Sequence, residues 1–218
     1  MFADRAEAGR LLAARLAELE LENPLVLALP RGGVPVGAEV ARALSAPLDL
    51  AFARKIGAPD QPELAVAAVA GRAEAPEIVV HAELVGNLGL SQDYITQSAA
   101  RELVVIERQR EQYLAGRPSA EAKNHTAIVV DDGVATGMTM QAALRHLRRQ
   151  EPARLIAATP VAAGDAAAML RQEADVAVLL SVPRRFGSVG AFYRSFAQVS
   201  DAEVIGLLQV CNARHVPG

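Results

Sequence analysis

The stretch Thr126-Ala127-Ile128-Val129-Val130-Asp131-Asp132-Gly133-Val134-Ala135-Thr136-Gly137-Met138-Thr139-Met140 constrains this chain most. It reads in order as a buried strand, two carboxylates, a Gly/Thr loop and the start of a helix. The β-branched run Ala127 to Val130 has the composition of a parallel-sheet core strand. The acids stand at its carboxyl end, the edge where open α/β sheets bind ligands. Asp131 and Asp132 are adjacent and point in different directions on extended backbone, so together they offer acceptors for two neighbouring hydroxyls, such as a ribose diol. From Ala135 to Thr139 the loop offers backbone N–H groups, the hydroxyls of Thr136 and Thr139, and a glycine that permits close approach. At a helix N-terminus this suits a phosphate. A diol one turn from a phosphate describes a ribose 5-phosphate. An isolated Asp-Gly is turn punctuation, but the ordered series of strand, acids, loop and helix argues for a site. A nucleotide-triphosphatase loop is excluded, because Met138 follows Gly137 where a lysine is required.

A second unit of the same kind precedes it. Leu25 to Leu29 reads as a buried strand, ended by Pro30-Arg31-Gly32-Gly33 and followed by a helix from about Val34 to Leu44. Upstream, Asp4 to Leu21 reads as an amphipathic helix with Asp4 as its cap, expected only to pack. Asp49 to Lys55 reads as a further strand ending in the cations Arg54 and Lys55. Of 22 basic residues only Lys55 and Lys123 are lysines. An ammonium point charge at Lys55 suits a diphosphate, and a solvated strand end is the plainer alternative. Glu63 to Val69 and Ile78 to His81 form a two-strand excursion without a site, His81 being structural. Ser91 to Tyr113 is a long helix with a charged, solvated face. After a helix from Met138 to Arg149, the segments Leu155 to Ala158, Asp165 to Glu173 and Val176 to Leu180 continue the strand and helix alternation. The pattern predicts an α/β fold, a mostly parallel, doubly wound sheet. Phe186, Phe192, Tyr193 and Phe196 cluster near the C-terminus, before the capping box Ser200 to Glu203. They form either a wall on which a planar base stacks or a satellite core.

A formal charge of -3 and a pI near 5.8 give no electrostatic reason to expect nucleic acid or an anionic membrane. The apolar runs are too short for a membrane span, and the N-terminal residues lack the apolar core of a signal peptide. The single cysteine, Cys211, cannot form an internal disulfide. A cytoplasmic protein is expected.

The residues Val129 to Thr139 resemble the phosphoribosyl pyrophosphate (PRPP) motif of the type I phosphoribosyltransferases. The resemblance implies that Asp131 and Asp132 hold the ribose hydroxyls and that Ala135, Thr136, Gly137, Met138 and Thr139 hold the 5-phosphate. Leu29 to Gly37 resembles the pyrophosphate loop of the same family, most like that of the xanthine and guanine enzymes. It assigns Arg31, Gly32 and Gly33 to pyrophosphate and implies a non-proline cis bond at Pro30-Arg31. Arg54 and Lys55 resemble the family's basic pair after the second strand. With Asp131, Asp132 and Arg31, Lys55 completes the expected catalytic set. A mobile lid is implied within residues 91 to 113 or 117 to 125, with Tyr113 and Lys123 as contacts. Pro183 to Tyr193 resembles the hood of the 6-oxopurine enzymes, which makes Phe186 the expected base contact.

One domain over residues 1 to 218 follows, with a core at about 22 to 182, a small hood at about 183 to 218, and a β-hairpin elaboration. The implied activity is Mg²⁺-dependent transfer of the phosphoribosyl group from PRPP to a nitrogenous base, releasing pyrophosphate, as in nucleotide metabolism. Mg²⁺ is expected to be held by PRPP and water, with no direct protein ligand. The alternative is a non-catalytic PRPP-binding regulator on the same fold, against which the acidic pI and the lack of an appended DNA-binding segment count. Two departures bear on the acceptor: Ala135 stands where the 6-oxopurine enzymes carry an aspartate, and no lysine is found near Ala157. Oligomeric state is not legible in the residues, although dimers are common in that family, which leaves a homodimer open.

Overall fold

Side-chain alternation along five short strands decides the architecture. The computed structural model describes residues 1–213; residues 214–218, the end of the expected hood segment, lie outside the described residues. The first half of the chain runs α1 (Arg5–Ala17), β1 (Pro24–Ala28), α2 (Gly33–Leu44), β2 (Leu48–Leu50), β3 (Ala53–Ala58), β4 (Gln61–Arg72), β5 (Ala75–Val80), α3 (Ala82–Asn87) and α4 (Gln92–Leu114). There follow β6 (Thr126–Val130), α5 (Met138–Arg148), β7 (Arg154–Val161), α6 (Gly164–Glu173), β8 (Val176–Ser181), a 3₁₀ turn at Val189–Phe192, and α7 (Asp201–Asn212).

The main sheet is parallel, in the order β2-β1-β6-β7-β8. Val26, Ala28, Ile128, Val130, Ile156 and Ala158 turn to one face, where they meet α1 and α2 through Leu12, Leu16, Val34 and Val40. The intervening residues Leu25, Leu27, Ala127, Val129 and Leu155 turn to the other face, against Met140 and Leu144 of α5 and Leu170 of α6. Both faces are therefore dry, which is why these strands read as unbroken apolar runs. The predicted doubly wound α/β sheet is the one observed.

Asp4 caps α1 as expected, its carboxylate accepting from the Glu7 N–H at 2.8 Å. His81 is exposed and caps α3, Nδ1 accepting from the Leu84 N–H. The run from Asp49 to Lys55 differs from its prediction: it is two strands, not one. β2 ends at Leu50, and after Ala51-Phe52 the chain restarts as β3 in a separate antiparallel sheet, β3-β4-β5. Tertiary contacts make the break. Asp49 is buried and accepts from Arg117 and the Ala120 N–H, and buried Phe52 lies beneath the Arg110 guanidinium. Arg54 and Lys55 consequently sit within β3, and the hairpin β4-β5 gains a third strand.

Beyond β8 the chain crosses to the N-terminus, where Phe2 and Tyr193 bridge, and then enters α7. Val204, Leu208 and Cys211 of α7 complete the core on the α1/α2 face. Among the described residues no helix is long and apolar enough to cross a membrane.

Candidate functional site

From β1 the chain winds through α2 to β2 on one side. From β6 it winds through α5, β7 and α6 to β8 on the other. The winding reverses between β1 and β6, which pair from Pro24↔Thr126 to Ala28↔Val130. At such a reversal the loops diverge and leave a crevice at the carboxyl edge. Here those loops are Leu29–Gly32 and Asp131–Gly137. The Leu29 N–H donates to the Val130 carbonyl at 2.8 Å, and the Pro30–Arg31 bond is cis, where the resemblance placed it. The loops touch at Gly32, where a Cβ would lie 2.2 Å from Asp132 Oδ2. Gly137, at φ +81°, turns the second loop into α5 through a conformation that side chains disfavour.

The two acids have different surroundings. Asp131 Oδ1 accepts from the Asp132 N–H at 2.8 Å. Asp132 is 9% exposed; its Oδ2 accepts from Arg5 Nε at 2.7 Å and its carbonyl from the Tyr193 hydroxyl at 2.5 Å. Burial pushes the Asp131 carboxyl well above the usual carboxylate range, and the charge of Asp132 pushes it further. Burial raises Asp132 as well, with Arg5 opposing.

A cavity of about 380 Å³ opens beside them, lined by Arg5, Arg31, Gly32, Asp132 and Phe196 among others. Arg31, Gly32 and Asp132, from two loops distant in sequence, thus line one cavity. The Arg31 guanidinium lies 3.5 Å from Asp201 at the start of α7. The same carboxylate accepts from the Tyr113 hydroxyl at 2.6 Å and from Gln112 at 3.1 Å. Burial and that hydrogen bond push the Tyr113 phenol up to about 12, and the bonds from Tyr113 and Gln112 hold Asp201 below the usual range.

The other candidates lie elsewhere. Arg54 pairs with Glu102 of α4, and Lys55 Nζ lies 2.6 Å from Glu63; neither lines the cavity. Ala135 and Thr136 form an exposed tip, Gly137 and Met138 are buried, and Thr139 is half-buried at the start of α5. Phe186 packs on Phe192 with centroids 5.4 Å apart. The ring on the cavity wall is Phe196, stacked on Tyr193 at 5.0 Å. A larger cavity of about 570 Å³, between His146, Arg149 and the β4–β5 turn, contains none of these groups. Among the described residues no three His, Cys, Asp or Glu side chains gather closely enough to hold a metal. Sequence reasoning missed Arg5, expected only to pack, and Asp201, which looked like part of a helix cap.

The phosphoribosyl transferase domain family matches residues 3–184, a span that includes both loops. The chain belongs to that family. Over 208 residues it is 39% identical to two Mycobacterium tuberculosis proteins, from strains H37Rv and CDC 1551 / Oshkosh, that carry provisional phosphoribosyl transferase names. The alignment takes in 95% of this chain and 46% of theirs, so the chain spans about half the length of the curated relatives it matches. The crystal structure of TT1426 from Thermus thermophilus matches with a TM-score of 0.79 at 43% identity, covering 95% of this chain and 97% of that one. The family span of this phosphoribosyl transferase domain ends at residue 184, before Tyr193 and Asp201, which bond to Asp132 and Arg31 of its two loops, and before Phe196, which lines the cavity beside them.

Proposed function

We propose that the chain binds PRPP with Mg²⁺ and transfers the 5-phosphoribosyl group to a nitrogenous base, releasing pyrophosphate. The observation that carries this reading is the meeting of two sequence-distant loops at the sheet's switch point, Gly32 against the carboxylate of Asp132. On this reading Arg31 and the backbone of Gly32 and Gly33 face the diphosphate, Asp131 and Asp132 hold the ribose, and Ala135 to Thr139 hold the 5-phosphate at the N-terminus of α5. Arg54 and Lys55 join by exchanging Glu102 and Glu63 for diphosphate oxygens, and Phe186 contacts the base.

A cavity that pairs the Arg31 guanidinium with the Asp132 carboxylate suits a diphosphate whose cation arrives with it, held by phosphate oxygens and its own waters. When bound, Mg²⁺ neutralises part of the diphosphate charge. The protein's own contribution is orientation and fixed charge: Arg31 stabilises the leaving diphosphate while the two acids face the ribose as C1 becomes cationic.

The test is pyrophosphate release from PRPP and Mg²⁺ against a panel of purines, pyrimidines and other nitrogen heterocycles. Release with one acceptor, lost in the Asp131→Asn/Asp132→Asn double variant, is the expected result. Tight PRPP binding without release for any base refutes transfer and favours the regulator; absence of binding refutes both.

A further inference from the structure

Arg5, the first residue of α1, is held on three sides. Nε donates to Asp132 Oδ2 at 2.7 Å, Nη1 donates to the Ala197 carbonyl at 2.7 Å, and the face of the guanidinium lies 3.8 Å from the centroid of Phe196. Its side chain is 12% exposed, and so is that of Asp132. The charged and titratable groups around the Asp132 carboxylate are Arg5 from α1, Asp131 beside it, Tyr193 from the hood and Arg31 at the same cavity. Two adjacent carboxylates, Asp132 buried and Asp131 half-buried, ionise together at a cost that a neighbouring cation offsets. Arg5 supplies that cation, and its planar fork and stacking face give it a direction that an ammonium lacks. The same contacts tie the hood, through Ala197 and Phe196, to the loop that meets Gly32.

We propose that Arg5 is a positioning residue of the PRPP site: acting through Asp132, it fixes the direction and charge of that carboxylate and anchors the hood over both loops. The inference rests on the PRPP reading above. Arg5 lines the cavity, and the ligand feels it through the acid it holds.

The test uses the full chain with Arg5→Met, Arg5→Lys and Arg5→Met in an Asp132→Asn background. Melting temperatures are measured between about pH 5 and pH 8 without ligand, and PRPP–Mg²⁺ affinity by calorimetry. The Arg5→Met deficit in melting temperature is expected to widen as pH rises, because Asp132 then ionises without its cation, and to be nearly flat with pH in the Asp132→Asn background. PRPP affinity should fall about tenfold in Arg5→Met, the scale of a lost charge-assisted hydrogen bond, with part recovered in Arg5→Lys. A pH-independent deficit, the signature of packing alone, overturns the proposal. So does unchanged affinity in Arg5→Met. If that variant does not fold, Arg5→Lys decides: undiminished affinity together with a pH-independent melting deficit overturns the proposal. Failure of the unchanged protein to bind PRPP refutes the proposed function itself, whereas equal binding by the unchanged and Arg5→Met proteins refutes only the role of Arg5.

Discussion

Gly32→Ala tests whether the contact between the two loops is as close as described. Gly32 has φ -60° and ψ -35°, which alanine adopts freely, so the cost of the substitution is steric. The new Cβ would stand 2.2 Å from Asp132 Oδ2 and 2.7 Å from its Cγ, where ordinary contact begins at 3.4 Å. Either the carboxylate or the loop must therefore move by roughly 1 Å, given the density of protein interiors. Turning Asp132 away forfeits the bond from Arg5, about 1.5–3 kcal/mol for a charged partner. An off-rotamer side chain adds about 0.5–1.5 kcal/mol. The sum, about 2–4.5 kcal/mol, corresponds to a fall in melting temperature of roughly 4–18 °C for a domain of this size. Thermal unfolding followed by circular dichroism measures it, with Gly164→Ala as control, since a Cβ there meets nothing within 4 Å. The control should stay within about 1 kcal/mol of neutral. A Gly32→Ala protein that melts within about 1 °C of the unchanged chain would refute the claimed approach of the loops.

Tyr193→Phe removes the donor to the Asp132 carbonyl and leaves a buried acceptor unpaired, so stability should fall by about 1–3 kcal/mol. Urea titration should show a lower midpoint with an unchanged slope. Hydrogen bonds from Arg145 hold Glu173 below the usual carboxylate range, and those from Arg148 do the same for Asp175. Both acids take up protons more readily in the unfolded chain, so their contribution is present above the usual carboxylate range and lost as pH falls through their folded values. Arg145→Gln with Arg148→Gln should make the acid-side decline in melting temperature shallower; an unchanged profile would show that these surface pairs contribute nothing measurable.

What was legible in the sequence was local. The strand, acid pair, Gly/Thr loop and helix of residues 126–140 lie within one short stretch, and two-sided burial leaves a plain apolar signature on β1, β6 and β7. The break between β2 and β3 was illegible because Leu50-Ala51-Phe52-Ala53 keeps a strand-like composition. The chain turns there only because Asp49 finds Arg117 and Phe52 finds Arg110, both far along the sequence. An arginine on an amphipathic helix looks solvated until its partner is known, which hid Arg5. Asp201 looks like one residue of a capping box, and the Ser200 hydroxyl does accept from the Glu203 N–H, but the Asp201 carboxylate accepts from Tyr113 and Gln112 of α4 and from Arg31. That Phe196 lines the cavity beside Asp132 follows from the path of residues 182–199 past the bridge to Phe2, which aromatic composition does not reveal.

The bonds that shape the cavity span the chain: 127 residues separate Arg5 from Asp132, 170 separate Arg31 from Asp201, and 61 separate Tyr193 from Asp132. Closing such long segments is entropically costly, and contacts of this separation slow folding. The unit β6–α5–β7 can collapse early from neighbours in sequence and carry the Gly/Thr loop with it. The acid pair has no cation until the first helix docks, and the cavity has no wall until the segment after β8 has crossed back to the N-terminus. A fragment that retains the whole recognisable motif would still lack the cavity.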